Sequence, residues 1–153
     1  MSVLALNKRA RYDYEIIETF KAGLVLSGPE VKAAKAGQAS LKGSFVVLRQ
    51  VKGGVEPYLL NSHIAAYRYA PKEGYETDRA RKLLLKSREI AYLLGKQKEK
   101  GLTLVPLKLY TERSLIKVDF AVAQGKKKAD KREDLKKRDL NRRLKGIRQS
   151  GLL

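Results

Sequence analysis

Residues 102–123 read LTLVPLKLYTERSLIKVDFAVA, and this stretch decides the class of fold. In its second half Ile116, Val118, Phe120 and Val122 alternate with Lys117, Asp119, Ala121 and Ala123. A period of two lays one face of a strand on a core and leaves the other wet. In the first half Leu102 and Leu104 alternate in one phase, Leu107 and Leu109 in the other. The phase changes across Val105 and Pro106, and because proline cannot donate to a ladder, a bulge there is predicted to restore the inward face. The four residues 111–114 then join the two strands as a hairpin.

Working outward, residues 45–51 and 55–60 read as a second hairpin around Lys52, Gly53 and Gly54, and 14–20 and 23–26 as the first two strands. A short helix is predicted over 29–36, with Ser27 or Gly28 near its cap, Pro29 in its first turn and Gly37 at its end. Residues 68–78, RYAPKEGYETD, read as a surface loop. Residues 82–85 read as a strand or short turn. A helix follows over 87–100, with Ser87 as N-cap, Ile90, Leu93, Leu94 and Gln97 on one side, and Gly101 as its stop. Short strands, hairpins and two or three small flanking helices predict a mainly β fold, a closed barrel of the oligonucleotide-binding (OB) kind. No repeat of solenoid length is present.

The chain has 153 residues, 43% of them hydrophobic, which suits one core with room for a tail. Against 16 Asp and Glu stand 34 Lys and Arg, a formal charge of +18, which excludes the surface of an ordinary metabolic enzyme and points to a polyanionic partner. Residues 1–124 carry +10 and residues 125–153 carry +8. The division predicted is therefore a barrel over 1–124 and a basic tail over 125–153. The tail has no aromatic residue and too little apolar surface to offset its ordering entropy, so it is expected to be disordered when free. Helix formers fill 131–149, and Leu140, Leu144 and Ile147 fall within about 60° of one another on a helical wheel. Binding would make it a helix, with cations all around, suited to phosphates rather than to a lipid surface. No run approaches the roughly 18–20 apolar residues of a spanning helix, and MSVLALNKRA is too short in apolar residues for a secretory signal. A cytoplasmic location is expected. With no Cys and one His there is no disulfide, no thiolate and no Cys/His zinc site, so neither a metal nor a cofactor is expected.

Catalytic constellations are missing as well. There is no Walker-type loop and no GxGxxG. His63, in NSHIAAY, has no nucleophile motif beside it and reads as structural. Glu15 and Glu18 stand in a segment read as strand, which does not suit a helix-spaced carboxylate pair. What the sequence offers instead is cations among aromatic rings. Lys8, Arg9 and Arg11 precede Tyr12 and Tyr14, and Arg79, Arg81, Lys82, Lys86 and Arg88 surround a leucine triplet. Cations hold a phosphate backbone and rings stack on bases, the equipment of an RNA-binding surface.

Four segments together resemble one family: LNKRARYDYEIIETFKAGLVLSGPEVKAAKAGQASLKGSFV (6–46), NSHIAAY (61–67), RARKLLLKSREIAYLLGKQKEKGLTLVPLKLY (79–110) and VAQGKKKADKRED (122–134). They resemble SmpB, the bacterial tmRNA-binding or SsrA-binding proteins, from about residue 6 to about residue 143. The resemblance implies an OB-like barrel with flanking helices and a basic C-terminal tail. It implies a non-catalytic role in trans-translation: binding the tRNA-like domain of tmRNA and delivering it to stalled ribosomes, the tail entering the decoding centre and empty mRNA channel. The partners implied are tmRNA and the ribosome with its small-subunit rRNA; no membrane or DNA partner is expected, and the chain is expected to be monomeric.

Carried over by position, the implied tmRNA contacts are Lys21, Ala22, Gly23, Leu84 and Lys117, to which the charge reading adds Lys8, Arg9, Arg11, Arg81 and Lys82. The implied ribosome-binding tail is Gly125, Lys126, Lys127, Asp130, Lys131 and Arg132, with Lys136, Lys137, Arg138, Arg142 and Arg143 beyond. Gly125 would let the chain turn off the barrel and Asp130 would cap the tail helix. Three positions depart from the family pattern: Lys21 stands where Glu is usual, Tyr12 where His is usual, and Ala129 where a His or Tyr is usual. A different class of protein, a ribosomal or ribosome-assembly factor held on rRNA, would share the charge and the barrel.

Overall fold

The computed structural model describes residues 1–126 together with 138, 140 and 142. Its centre is the expected hairpin. Strands β8 (Leu102–Glu112) and β9 (Leu115–Gly125), numbered in chain order, pair antiparallel with the register shift between Pro106 and Lys108 that the phase change predicts. The link is shorter than four residues. Only Arg113 and Ser114 turn the chain, at φ 51° and 68°, so both adopt the left-handed conformation of a tight hairpin turn without a glycine, at about 1–2 kcal/mol each.

The remaining elements are β1 (Ser2–Leu6), α1 (Ala10–Asp13), β2 (Tyr14–Leu24), α2 (Gly28–Lys35), β3 (Ala39–Ser40), β4 (Phe45–Val51), β5 (Gly54–Leu60), β6 (His63–Ile64), β7 (Arg81–Leu84) and α3 (Ser87–Gln97). Seven strands form one sheet in the order β1-β8-β9-β2-β7-β5-β4, and β3 pairs with β6. Among the described residues no pairing joins β1 to β4, so the sheet is mainly antiparallel β and open. The two first strands expected from sequence are one, because β9 pairs with β2 from Tyr14 to Gly23 and carries it through Lys21 and Gly23 with a single register shift between Ile16 and Glu18. Ala22 and Leu24 keep the inward phase.

The core packs Leu24, Leu41, Val46, Leu59, Leu83, Leu93, Leu104, Leu109, Val118, Phe120 and Val122 together. A smaller cluster of Ala10, Val105 and Ala123 lies on the other face of the hairpin. The outer face of β9 is therefore not wet along its whole length: Ala121 and Ala123 are fully buried. Over Ala123 the cover is α1, just beyond the cations Lys8 and Arg9, whose Ala10 belongs to the same small cluster. Helix α2 begins with a capping box, in which Ser27 Oγ accepts from the Glu30 amide and Glu30 Oε1 accepts from the Ser27 amide. Helix α3 begins at Ser87, the start that the sequence predicts. Its cap is Lys86, whose amide donates to Glu89 Oε1 at 3.0 Å, rather than Ser87, and it ends at Gln97 rather than Lys100.

Arg81 corrects an expectation of function. Its side chain is fully buried, so it cannot touch RNA. Nε donates to Glu30 Oε2 at 2.8 Å, one Nη to the Ser62 carbonyl at 2.7 Å, and the other to the Thr77 carbonyl at 3.0 Å. Arg79 pairs with the other oxygen of the Glu30 carboxylate. A lone buried charge costs far more than a satisfied one, so Arg81→Met is expected to destabilise the fold by about 3–5 kcal/mol, read as a lower urea midpoint. Burial pushes the Glu30 carboxyl up, but Arg79, the Ser27 amide and Arg81 together hold it below its ordinary value of 4.5. A lowered folded value means that Glu30 contributes stability above the unfolded value, and that this is lost as pH falls through the folded one. Glu30→Gln should flatten that acid limb.

Candidate nucleic-acid interface

Strand β7 has four residues and alternating faces: Arg81 and Leu83 point inward, each at most 1% exposed, whereas Leu84 is 57% exposed. The ladder sets Leu84 opposite Gly23 on β2, and Gly23 opposite Lys117 on β9. Directly opposed residues of antiparallel strands share a face, so these three of the expected contacts form one row across the sheet. The Leu84 side chain lies beside Gly23: a Cβ there would stand 3.4 Å from Leu84 Cδ1, at contact distance.

Around the row lies an open groove lined by Lys21, Gly23, Lys82, Leu84 and Lys117, five of the expected residues, together with Glu56, Pro57, Lys86, Glu89 and Ile90. Lys117 has no salt-bridge partner among the described residues. Lys21 Nζ meets Glu112 Oε2 at 2.8 Å, and this hydrogen bond holds the ammonium above its ordinary value and the carboxyl below its own. Lys82 pairs with Glu56 at 3.3 Å, and Glu56 also accepts from the Tyr58 hydroxyl at 2.6 Å. Arg49 stacks over the Tyr58 ring at 4.8 Å. Sequence reading missed this contribution of β4 and β5. Its signal was the alternation in GVEPYLL, which buries Pro57 and Leu59 and so turns Glu56 and Tyr58 to the other face.

The cationic surface continues past the groove. Lys21 is opposite Asp119, and Asp119 is opposite Lys108. Tyr110 donates its hydroxyl to Asp119 Oδ1 at 2.8 Å, with burial and then this bond pushing the phenol up so that it stays a donor. A second depression holds Lys108, Asp119 and Thr19 beside Lys8, Arg11 and Arg138. Lys8 and Arg11 thus extend the same face. Arg9 does not join them: it lines a separate cavity with Lys8, Lys42 and Phe45, pairs with Asp13 at 3.4 Å and lies over the Tyr12 ring at 5.1 Å. Ala22 is corrected, since its side chain is 2% exposed and belongs to the core. His63 is exposed and contacts Asp78 at 3.1 Å.

Gly125 does not turn the chain off the sheet. It pairs with Tyr14, and the Lys126 amide then donates to the Asp13 carbonyl at 2.9 Å while Lys126 Nζ donates to the Arg11 carbonyl at 2.9 Å. Arg138 and Arg142 are helical and exposed. Lys127, Asp130, Lys131, Arg132, Lys136, Lys137 and Arg143 lie outside the described residues, as does the expected Asp130 cap. Among the described residues no cluster of His, Cys, Asp and Glu is arranged to hold a metal, and no helix is long and apolar enough to cross a membrane.

Comparison with known proteins gives a concordant result. The family model of the SmpB protein matches residues 4–150. The SsrA-binding protein of Thermosipho africanus is 49% identical over 145 residues, covering 94% of this chain and 95% of the relative. That of Coprothermobacter proteolyticus is 50% identical over 148 residues, covering 95% of each. Among solved structures, a chain from "tmRNA-SmpB: a journey to the center of the bacterial ribosome" is 48% identical, with a TM-score of 0.64 over 80% of this chain and 84% of that one. Matched along nearly its whole length to SsrA-binding proteins, this chain belongs to the SmpB family.

Proposed function

We propose that this chain binds the tRNA-like domain of tmRNA through the groove between β7, β2 and β9, and delivers it to ribosomes stalled on messages without a usable stop codon. The row Leu84–Gly23–Lys117 carries the reading. An exposed leucine offers an apolar surface to bases, and a glycine beside it gives close access. The lysines Lys21, Lys82 and Lys117 offer charge to phosphates, the two elements by which folded RNA is gripped. Lys8 and Arg11 lengthen the cationic track. The role asks only for binding, so no bond-making residue is assigned. The open sheet is taken as the wall of an OB-like barrel, and the cut between barrel and tail moves from residue 124 to residue 126, where Lys126 is still tied to α1. The segment beyond, with its excess of cations, enters the decoding centre and the vacant mRNA channel, which rRNA phosphates make attractive and which only an absent message leaves free.

The test is a salt series. If the body neutralises about six phosphates, log affinity for the tRNA-like domain should fall against log salt with a slope of roughly −4 to −5. Lys117→Gln should reduce the slope by about 1 and lower affinity without moving the unfolding midpoint. A slope near zero would refute phosphate binding.

A further inference from the structure

Beyond the groove, the loop that follows β6 carries a second set of aromatic and cationic side chains to which the groove gives no role. Tyr67 and Tyr69 meet edge to face, centroids 5.5 Å apart at 70°. Lys32, from α2, places Nζ 5.5 Å from the Tyr67 ring, and Arg68 places Cζ 5.5 Å from the Tyr69 ring. Tyr69 is 76% exposed, the most exposed tyrosine of the chain, and none of these four residues lines the groove.

The loop is braced. Tyr75 donates its hydroxyl to the Ile64 carbonyl at 2.7 Å, the Ala65 amide donates to Gln38, and the Ile64 amide donates to Thr77. A turn closed by the Ala70 amide on the Tyr67 carbonyl sets the two rings against each other. A ring left in water contributes nothing to the fold, whereas a fixed ring flanked by cations is suited to a flat, electron-rich partner on a charged backbone. Every base has such a face, and stacking on an aromatic side chain is worth about 1–3 kcal/mol per base.

We propose that Tyr69, flanked by Arg68 and seated against Tyr67, which carries Lys32 on its own ring, is a stacking platform for an unpaired nucleotide of single-stranded RNA, separate from the groove that grips folded RNA. The base lies on Tyr69, and Arg68 and Lys32 meet the phosphates of its strand.

The test uses the full chain and an eight-nucleotide oligoadenylate, with binding followed by anisotropy across a salt series. Tyr69→Ala should weaken binding by about 5- to 150-fold at fixed salt, with the slope against log salt unchanged, and Tyr69→Phe should stay within about two-fold of the parent. Arg68→Gln should reduce the slope by about 0.7. All three variants should bind the tRNA-like domain of tmRNA as the parent does. The proposal is overturned if Tyr69→Ala binds the oligonucleotide like the parent, or if Tyr69→Phe loses as much as Tyr69→Ala. It is also overturned if the tRNA-like domain is lost along with the oligonucleotide, which would make the platform part of the groove's own site. Failure of the groove reading looks different: there, Lys117→Gln leaves binding of the tRNA-like domain and its salt slope untouched.

Discussion

Ending the chain after Lys126 is expected to abolish peptide tagging on stalled ribosomes while leaving affinity for the tRNA-like domain within about three-fold. The physical basis is the division of labour between two cationic parts. Residues 127–153 carry a net +7, enough to draw the segment into a channel walled by phosphates, whereas β2, β5, β7, α3 and β9 supply the groove around Leu84. The cut has to fall after Lys126 and no earlier. Gly125 completes the ladder with Tyr14, and Lys126 makes two bonds to α1 through its amide and its ammonium. A cut after Gln124 would remove these bonds at once and loosen α1, whose Ala10 covers Ala123. Retention of tagging by the chain ending at Lys126 would remove the tail from the mechanism. Equal loss of tagging and of tmRNA affinity would merge the two parts into one.

The leucine triplet should separate into residues of opposite kind. Leu84→Asp is expected to lower affinity for the tRNA-like domain by about 100-fold or more with the unfolding midpoint nearly unchanged, because it puts a buried-on-binding negative charge opposite phosphates on a side chain that is 57% exposed when free. Leu83→Ala, one residue earlier, should do the reverse. Leu83 is 1% exposed, and opening a cavity at such a site costs about 2–5 kcal/mol. Chemical denaturation followed by circular dichroism, beside a binding titration, reads both. If Leu84→Asp melts the fold and Leu83→Ala does not, the assignment of faces on β7 is inverted.

The contrast between Leu83 and Leu84 also shows where the sequence stops being informative. Alternation in 115–123 fixed strand, face and hairpin because hydrophobicity itself alternates there. In RKLLL it does not, and only the ladder to Gly23 tells the outward leucine from the inward ones. Arg81 looked like a surface cation because a charged residue has no local signal of burial. Its carboxylate partner, Glu30, is 51 positions away, beyond any spacing rule. Strand β1 escaped notice because SVLAL is short, and its identity depends on pairing with β8. Lys21 and Ala22 read as a break between two strands, since neither favours a sheet, yet pairing with β9 along one side overrides propensity. Lys21, Gly23, Lys82, Leu84 and Lys117 were all named from sequence, and the fold brings the five into one groove. Glu56 closes its far side, held by Tyr58 and behind it Arg49, through a hairpin whose strands were legible and whose neighbours were not.

Site-specific photocrosslinking tests the groove most directly. With a short photoreactive side chain at position 84 in the full chain, irradiation in complex with the tRNA-like domain should yield one discrete RNA adduct, suppressed by unlabelled tmRNA. The same group at position 45, an exposed site on β4 that lines the cavity of Arg9 rather than the groove, should yield little. Adducts from position 45 with none from position 84 would show that the RNA lies at the cavity of Arg9 and not along the groove, against everything proposed above.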